Sequence, residues 1–187
     1  TASGTSATFS GSITGSSVAN ATPVLTITGA NTTLLSGLIS NGSGTNAKLS
    51  ITENGSSGTT ILSNTSNSYT GGTTISAGTL KLGNTSGTTL PTTAVISMGG
   101  GTLDLYGYSQ TIASVNDTAG TNYITNTATS SGVVLTISGS TPGTFGGVIQ
   151  DGGSGKVIGL TLNSSGVLTL TGANTYTGTT TLTSGAL

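Results

Sequence analysis

The sequence predicts an all-β chain whose short strands stack as the coils of a β-solenoid, and three observations carry that expectation. Apolar residues alternate with Thr and Ser in short runs, no helical period appears, and the stretch SYTGGTTISAGTLKLGN at Ser68–Asn84 returns as TYTGTTTLTSGAL at Thr175–Leu187. Alternation at period two turns one side of an extended segment to a core and the other to water. Threonine, stiff at χ1, suits strands and disfavours helix. A long repeat of many short strands has two physical solutions, tandem β-sandwich modules or a solenoid. A sandwich needs hairpins, for which Asn41-Gly42, Asn54-Gly55 and Asp151-Gly152 offer turns. The solenoid explains more, because it accepts coils of unequal length joined by Gly-rich turns. With about 20 residues per coil and ~4.8 Å between stacked strands, the chain would make roughly nine coils in a rod about 40 Å long.

Taken in order, residues 1–23 read as the end of a preceding repeat, with Phe9 to Ile13 as its last apolar step. Repeat unit one, 24–133, opens on VLTITG, where Leu25 and Ile27 share one side and Thr26 and Thr28 the other. Leu35–Ile39, Leu49–Ile51 and Thr60–Leu62 follow as further strand pieces, then the Ser68 motif, in which Thr73, Ile75 and Ala77 share a side and Leu80 and Leu82 begin another strand. Ala94–Met98, Thr102–Leu105, Gln110–Ile112 and Tyr123-Ile124 continue the pattern. Asp104, between two inward leucines, is expected to point to water. Unit two, 134–187, repeats unit one at an offset of 134 − 24 = 110 residues and stops before the motif is complete. The whole is expected to be one continuous solenoid and a segment of something longer.

Composition excludes several classes of function. Of 187 residues only 4% are charged, three lysines and four acids, with no arginine or histidine. Nucleic acid is therefore not an expected partner, since phosphate neutralisation needs clustered cations. Cysteine is absent, which removes disulfides, thiol nucleophiles and thiolate metal sites. No apolar run approaches the roughly 20 residues of a membrane helix. A cysteine-free, threonine-rich chain fits an exported protein.

LTLTGANTYTG at Leu168–Gly178, with Thr180, Thr181, Leu182 and Gly185, and YTGGTTISAGTL at Tyr69–Leu80, closely resemble the passenger-associated repeat of bacterial autotransporters. GTLDL at Gly101–Leu105, SQTI at Ser109–Ile112 and FGGVI at Phe145–Ile149 are similar to segments that link such repeats. The resemblance implies a right-handed parallel β-helix at the cell surface or secreted, with a structural or adhesive role: a stalk, an adhesin passenger or a filament subunit. It names no specific activity. Residues 63–68, SNTSNS, depart from the pattern, and the membrane β-barrel of such proteins is not in this chain, so membrane association would come only through another part.

The search for chemistry yields no catalytic, cofactor-binding or metal-ligating residues, and the chain is read as a non-enzyme without cofactors. The acids Glu53, Asp104, Asp117 and Asp151 are scattered over different repeat positions and read as solvated, with Asp104 and Asp117 the one pair close enough in sequence to meet across a coil. Asp151–Lys156 has a superficial phosphate-loop look, but Gln150 and Val157 stand where glycine and a magnesium-holding hydroxyl are required, so a turn is expected. Tyr106, Tyr108 and Tyr123 offer a candidate stacking surface for surface glycans, whereas Tyr69 and Tyr176 recur at one repeat position and read as structural. The pairs Thr26/Thr28, Thr136/Ser138 and Thr169/Thr171 raise an ice-binding array as an outside reading. Sequons at Asn20, Asn31 and Asn84 are expected by chance in so Ser/Thr-rich a chain. Self-association through the solenoid ends is the partner the bare edge strands suggest.

Overall fold

The computed structural model describes residues 6–83, 89–117, 121–128 and 132–187. Asn84, the last residue of the opening motif and one of the sequons, lies outside them. In chain order the strands are β1 (Ala7–Phe9), β2 (Ile13–Thr14), β3 (Val24–Ile27), β4 (Thr32–Leu35), β5 (Ile39–Ser40), β6 (Ser50–Leu62) and β7 (Thr73–Leu82). There follow β8 (Val95–Met98), β9 (Thr102–Asp104), β10 (Gln110–Ile112), β11 (Ser114–Asp117), β12 (Tyr123–Thr125), β13 (Val133–Ile137), β14 (Gly143–Phe145), β15 (Val148–Ile149), β16 (Ile158–Leu170) and β17 (Thr180–Ala186). All strand pairs among the described residues are parallel. The chain is a β-solenoid of about seven turns.

Each turn visits three faces in the same order. The first face stacks β3, the start of β6, the start of β7, β8 and β11, and continues through β14 to the end of β16. The second stacks β1, β4, the ends of β6 and β7, β9, β12 and β15. The third runs from β2 and β5, past Asn67 and Thr89, to β10, β13, the start of β16 and β17.

Parallel pairing removes the sandwich alternative, since hairpins are antiparallel by construction. Asn54-Gly55 lies inside β6, which bends there from the first face to the second without reversing. The coil count also differs from the roughly nine expected. Paired residues lie from 114 − 95 = 19 to 59 − 32 = 27 positions apart, because the bends between faces absorb different numbers of residues. The motif at Ser68 differs in one detail: Thr73 to Leu82 is one strand, not two. It turns its corner at Gly78, where φ is +71° and an added Cβ would sit 2.1 Å from the carbonyl oxygen of Gly55 in the coil before. Only glycine lets two corners stack so closely.

Aliphatic side chains fill the interior in columns. Leu80, Leu103, Ile124 and Ile149 lie in register down the second face, each fully buried. Each such side chain contributes ~1.5–3 kcal/mol relative to exposure. Leu25 and Ile27 are more buried than Val24 and Thr26, as the alternation requires.

The 110-residue repeat reappears as a series of elements: β3 to β7 in the first copy correspond to β13 to β17 in the second, and β6 and β16 are both 13 residues long. Yet β3 lies on the first face and β13 on the third. Four coils and two further faces separate them, so the second copy is displaced round the axis by one face.

Candidate functional site

The residues that recur between the copies form contacts of two kinds, one within a coil and one between coils. The first is a Tyr–Thr pair. The Tyr69 hydroxyl meets Thr73 Oγ1 at 2.8 Å, and the Tyr176 hydroxyl meets Thr180 Oγ1 at the same 2.8 Å. Tyr69 is wholly buried in the core, while Tyr176 is half-buried against it. Burial pushes the Tyr69 phenol well above its usual range, against a smaller opposing effect of its bond to Thr73.

The second contact is a polar clamp at the entry to the long strand. Asn41 Oδ1 accepts the backbone N–H groups of Leu49 and Thr70, both at 2.9 Å, and its Nδ2 donates to Thr70 Oγ1 at 2.9 Å. In the second copy Asp151 takes the same place. Its Oδ1 accepts Ile158 N–H at 2.8 Å, and its Oδ2 accepts both Thr177 N–H at 3.1 Å and Thr177 Oγ1–H at 2.6 Å. The threonine hydroxyl is thus acceptor in one copy and donor in the other. Slight burial raises the Asp151 carboxyl, but the Thr177 hydroxyl and the two N–H donors outweigh it and hold it below its ordinary value. A further recurring side chain, Asn67, accepts Ile39 N–H at 2.9 Å, and its counterpart Asn174 accepts Ile149 N–H at 2.8 Å. Sequence reasoning named Asn41 only as part of a turn and passed over Asn67. The available signal was that each aligns with a polar residue in the other copy.

The acids do not sit as the sequence suggested. Asp104 is 3% exposed, not turned to water, because the outward side of β9 is covered by the next coil. It accepts Tyr106 N–H at 3.0 Å, Thr127 N–H at 2.9 Å and the Thr127 hydroxyl. Asp117 instead accepts Gly146 N–H at 2.8 Å, so among the described residues Asp104 and Asp117 serve different partners. Glu53, also read as solvated, is 1% exposed. Among the described residues no group of three or more metal-ligating side chains forms.

The remaining candidates resolve into local structure. Asp151–Lys156 is a turn closed by Gly152 N–H to the Lys156 carbonyl and Lys156 N–H to the Gly153 carbonyl. Tyr106 carries the Lys81 ammonium 3.4 Å from its ring centroid, so one ring face is occupied. Tyr106, Tyr108 and Tyr123 are each only partly exposed, and Tyr108 packs on the core. Thr26 and Thr169 lie on the first face but Thr136 lies on the third, so these pairs do not form one array.

Residues 55–82 and 160–187 match the family model described as passenger-associated-transport-repeat. Both matched segments hold the later part of a long strand and the strand after it, β6 to β7 and β16 to β17, and enclose both Tyr–Thr pairs. No curated protein and no solved structure matches the chain.

Proposed function

We propose that this chain, which carries two passenger-associated-transport-repeats on a β-solenoid, is a non-enzymatic structural segment of an autotransporter passenger, displayed on a bacterial surface or secreted, where it serves as a stiff spacer or adhesive stalk. The observation that supports this is what the repeated residues do. Asn41 and Asp151, and Asn67 and Asn174, spend their polar atoms on fastening one coil to the next, while Tyr69 and Tyr176 brace the bend within their own coil. In a solenoid each coil touches only its neighbours, so stiffness is the sum of such local ties. Pulling the chain by its two ends in a single-molecule apparatus tests this. Coils of 19 to 27 residues should release in steps of about 60 to 95 Å. Smooth extension without steps would count against the spacer.

Self-association belongs to the same proposal. Strand β17 exposes all seven residues and has a strand neighbour on one side only. Its Thr180-Thr181-Leu182 has the polar–Thr–aliphatic pattern with which Gln110-Thr111-Ile112 covers β13, the counterpart of β3. Sedimentation should show concentration-dependent assembly that Leu182→Lys weakens; a monomer at every concentration removes the idea.

A further inference from the structure

Glu53 is the single glutamate of the chain, and it is placed where a carboxylate is least expected. It sits on β6 at the corner between the first and second faces, between Ile27 of the coil before and Ile75 of the coil after. Its Oε1 accepts Gly55 N–H at 2.9 Å. The corner is closed by backbone: a Cβ on Gly58 would lie 2.5 Å from the Gly29 carbonyl oxygen, and one on Gly78 only 3.0 Å from Glu53 Oε1 itself. Across the bend, Thr60 is 1% exposed. Glu53 Oε2 and Thr60 Oγ1 are both buried without a hydrogen-bond partner.

The second copy shows what this position otherwise holds. Glu53 pairs with Ile75 of β7, and its counterpart Leu162 pairs with Leu182 of β17. Thr60 pairs with Thr33, and its counterpart Leu168 pairs with Gly143. Leu162 and Leu168 are 1% and 0% exposed. At the bend of the second copy no carboxylate is used: the Ser164 hydroxyl accepts the N–H of Gly166, the counterpart of Gly58, at 2.9 Å. A Glu–Thr pair in one copy thus replaces a Leu–Leu pair in the other, inside the same fold.

We propose that Glu53 and Thr60 form a proton-operated latch in the β6 corner: with the carboxyl neutral, its Oε2–H donates to Thr60 Oγ1 and the coil closes, and loss of that proton to solvent loosens the corner. Among the described residues no cation offsets a carboxylate there. β3 faces Glu53 with Ile27, β4 faces Thr60 with Thr33, and β7 faces them with Ile75 and Leu80, none of which titrates. Lys81 of β7 alternates with the buried Leu80 and Leu82 and lies outward over Tyr106, and Lys48, ahead of β6, is exposed. The Tyr69 phenol is engaged by Thr73. Burial pushes the Glu53 carboxyl above its ordinary value, more strongly than Thr60 and the Gly55 N–H lower it; Thr60 lies near without yet making an aligned bond. A folded-state value above the unfolded one means that the stabilisation is fully present below the unfolded value and is lost as pH rises through the folded value.

Two measurements on the whole chain decide the proposal. With carboxyl-labelled glutamate the chain gives one side-chain carboxyl resonance, and its titration midpoint should lie above 4.5, the ordinary value. A midpoint at or below that overturns the latch. Urea denaturation from about pH 4 to about pH 8 should show stability falling as pH rises. The double substitution Glu53→Leu with Thr60→Leu, which installs the pair of the second copy, should flatten that slope, and retention of the full slope would also overturn it. If the double variant does not fold, the resonance of the unaltered chain still decides.

Discussion

Replacing Tyr69 by Phe removes one hydroxyl from a side chain that has no contact with water. Its partner Thr73 Oγ1 belongs to a residue only 1% exposed and would be left without the 2.8 Å bond. Abandoning a buried polar group costs ~1–3 kcal/mol, whereas removing both partners together with matched apolar groups is nearly neutral. Tyr69→Phe should therefore destabilise by ~1–3 kcal/mol, Thr73→Val by a similar ~1–3 kcal/mol, and the double variant by clearly less than the sum. Tyr176→Phe supplies the internal control. It removes the same 2.8 Å bond, but at a half-buried site where water can take over, so its cost should stay below ~1 kcal/mol. Urea denaturation followed by far-ultraviolet circular dichroism reads all four variants. Equal losses at Tyr69 and Tyr176, or strict additivity between Tyr69→Phe and Thr73→Val, would refute burial as the source of the difference.

Two further outcomes follow from the geometry. Gly78→Ala meets both a φ of +71° and a carbonyl 2.1 Å from the new Cβ, so it should cost more than ~2 kcal/mol in thermal or urea denaturation. Asp151→Asn reproduces the Asn41 form of the clamp. Because the Asp151 carboxyl is held below its ordinary 3.8, its contribution is present above that value and lost as pH falls through the lower folded value. Acid denaturation of the Asp151→Asn variant should lack that component, while the opposing dependence on Glu53 above pH 4.5 remains.

The architecture was legible because it is written in local pattern. The alternation at Val24–Ile27 and Thr73–Ile75 gives strand and inward side directly, and the return of VLTI at 134 reveals the unit. The absence of charge runs and of a helical period narrowed the rest. What stayed hidden depends on neighbours distant in sequence. Asp104 sits on the outward side of β9, as alternation demands, but Thr127, 23 residues on, covers it. Glu53 occupies a slot whose apolar nature shows only when β6 is set in register with β7 and compared with β16 on β17. The bend within Thr73–Leu82 was read as a break because a glycine at positive φ looks the same in one dimension whether the chain stops or turns. The ties that hold the coils were half visible: Tyr69 and Tyr176 stood out as a recurring aromatic, while Asn67 and Asn174 did not, since an asparagine in a polar run carries no periodic signal.

The displacement of the second copy by one face bears on how such a chain behaves as a beam. A rod whose duplicated units sat directly above one another would carry all its glycine corners on one line and all its polar ties on another. It would bend most easily across that seam. Here each new copy presents its glycine corners on a fresh bearing, and a third copy placed by the same rule would complete the circuit. Lengthening by duplication then adds reach without adding a preferred direction of bending. Any contact point carried once per copy would wind round the shaft like the treads of a spiral stair, accessible from every side.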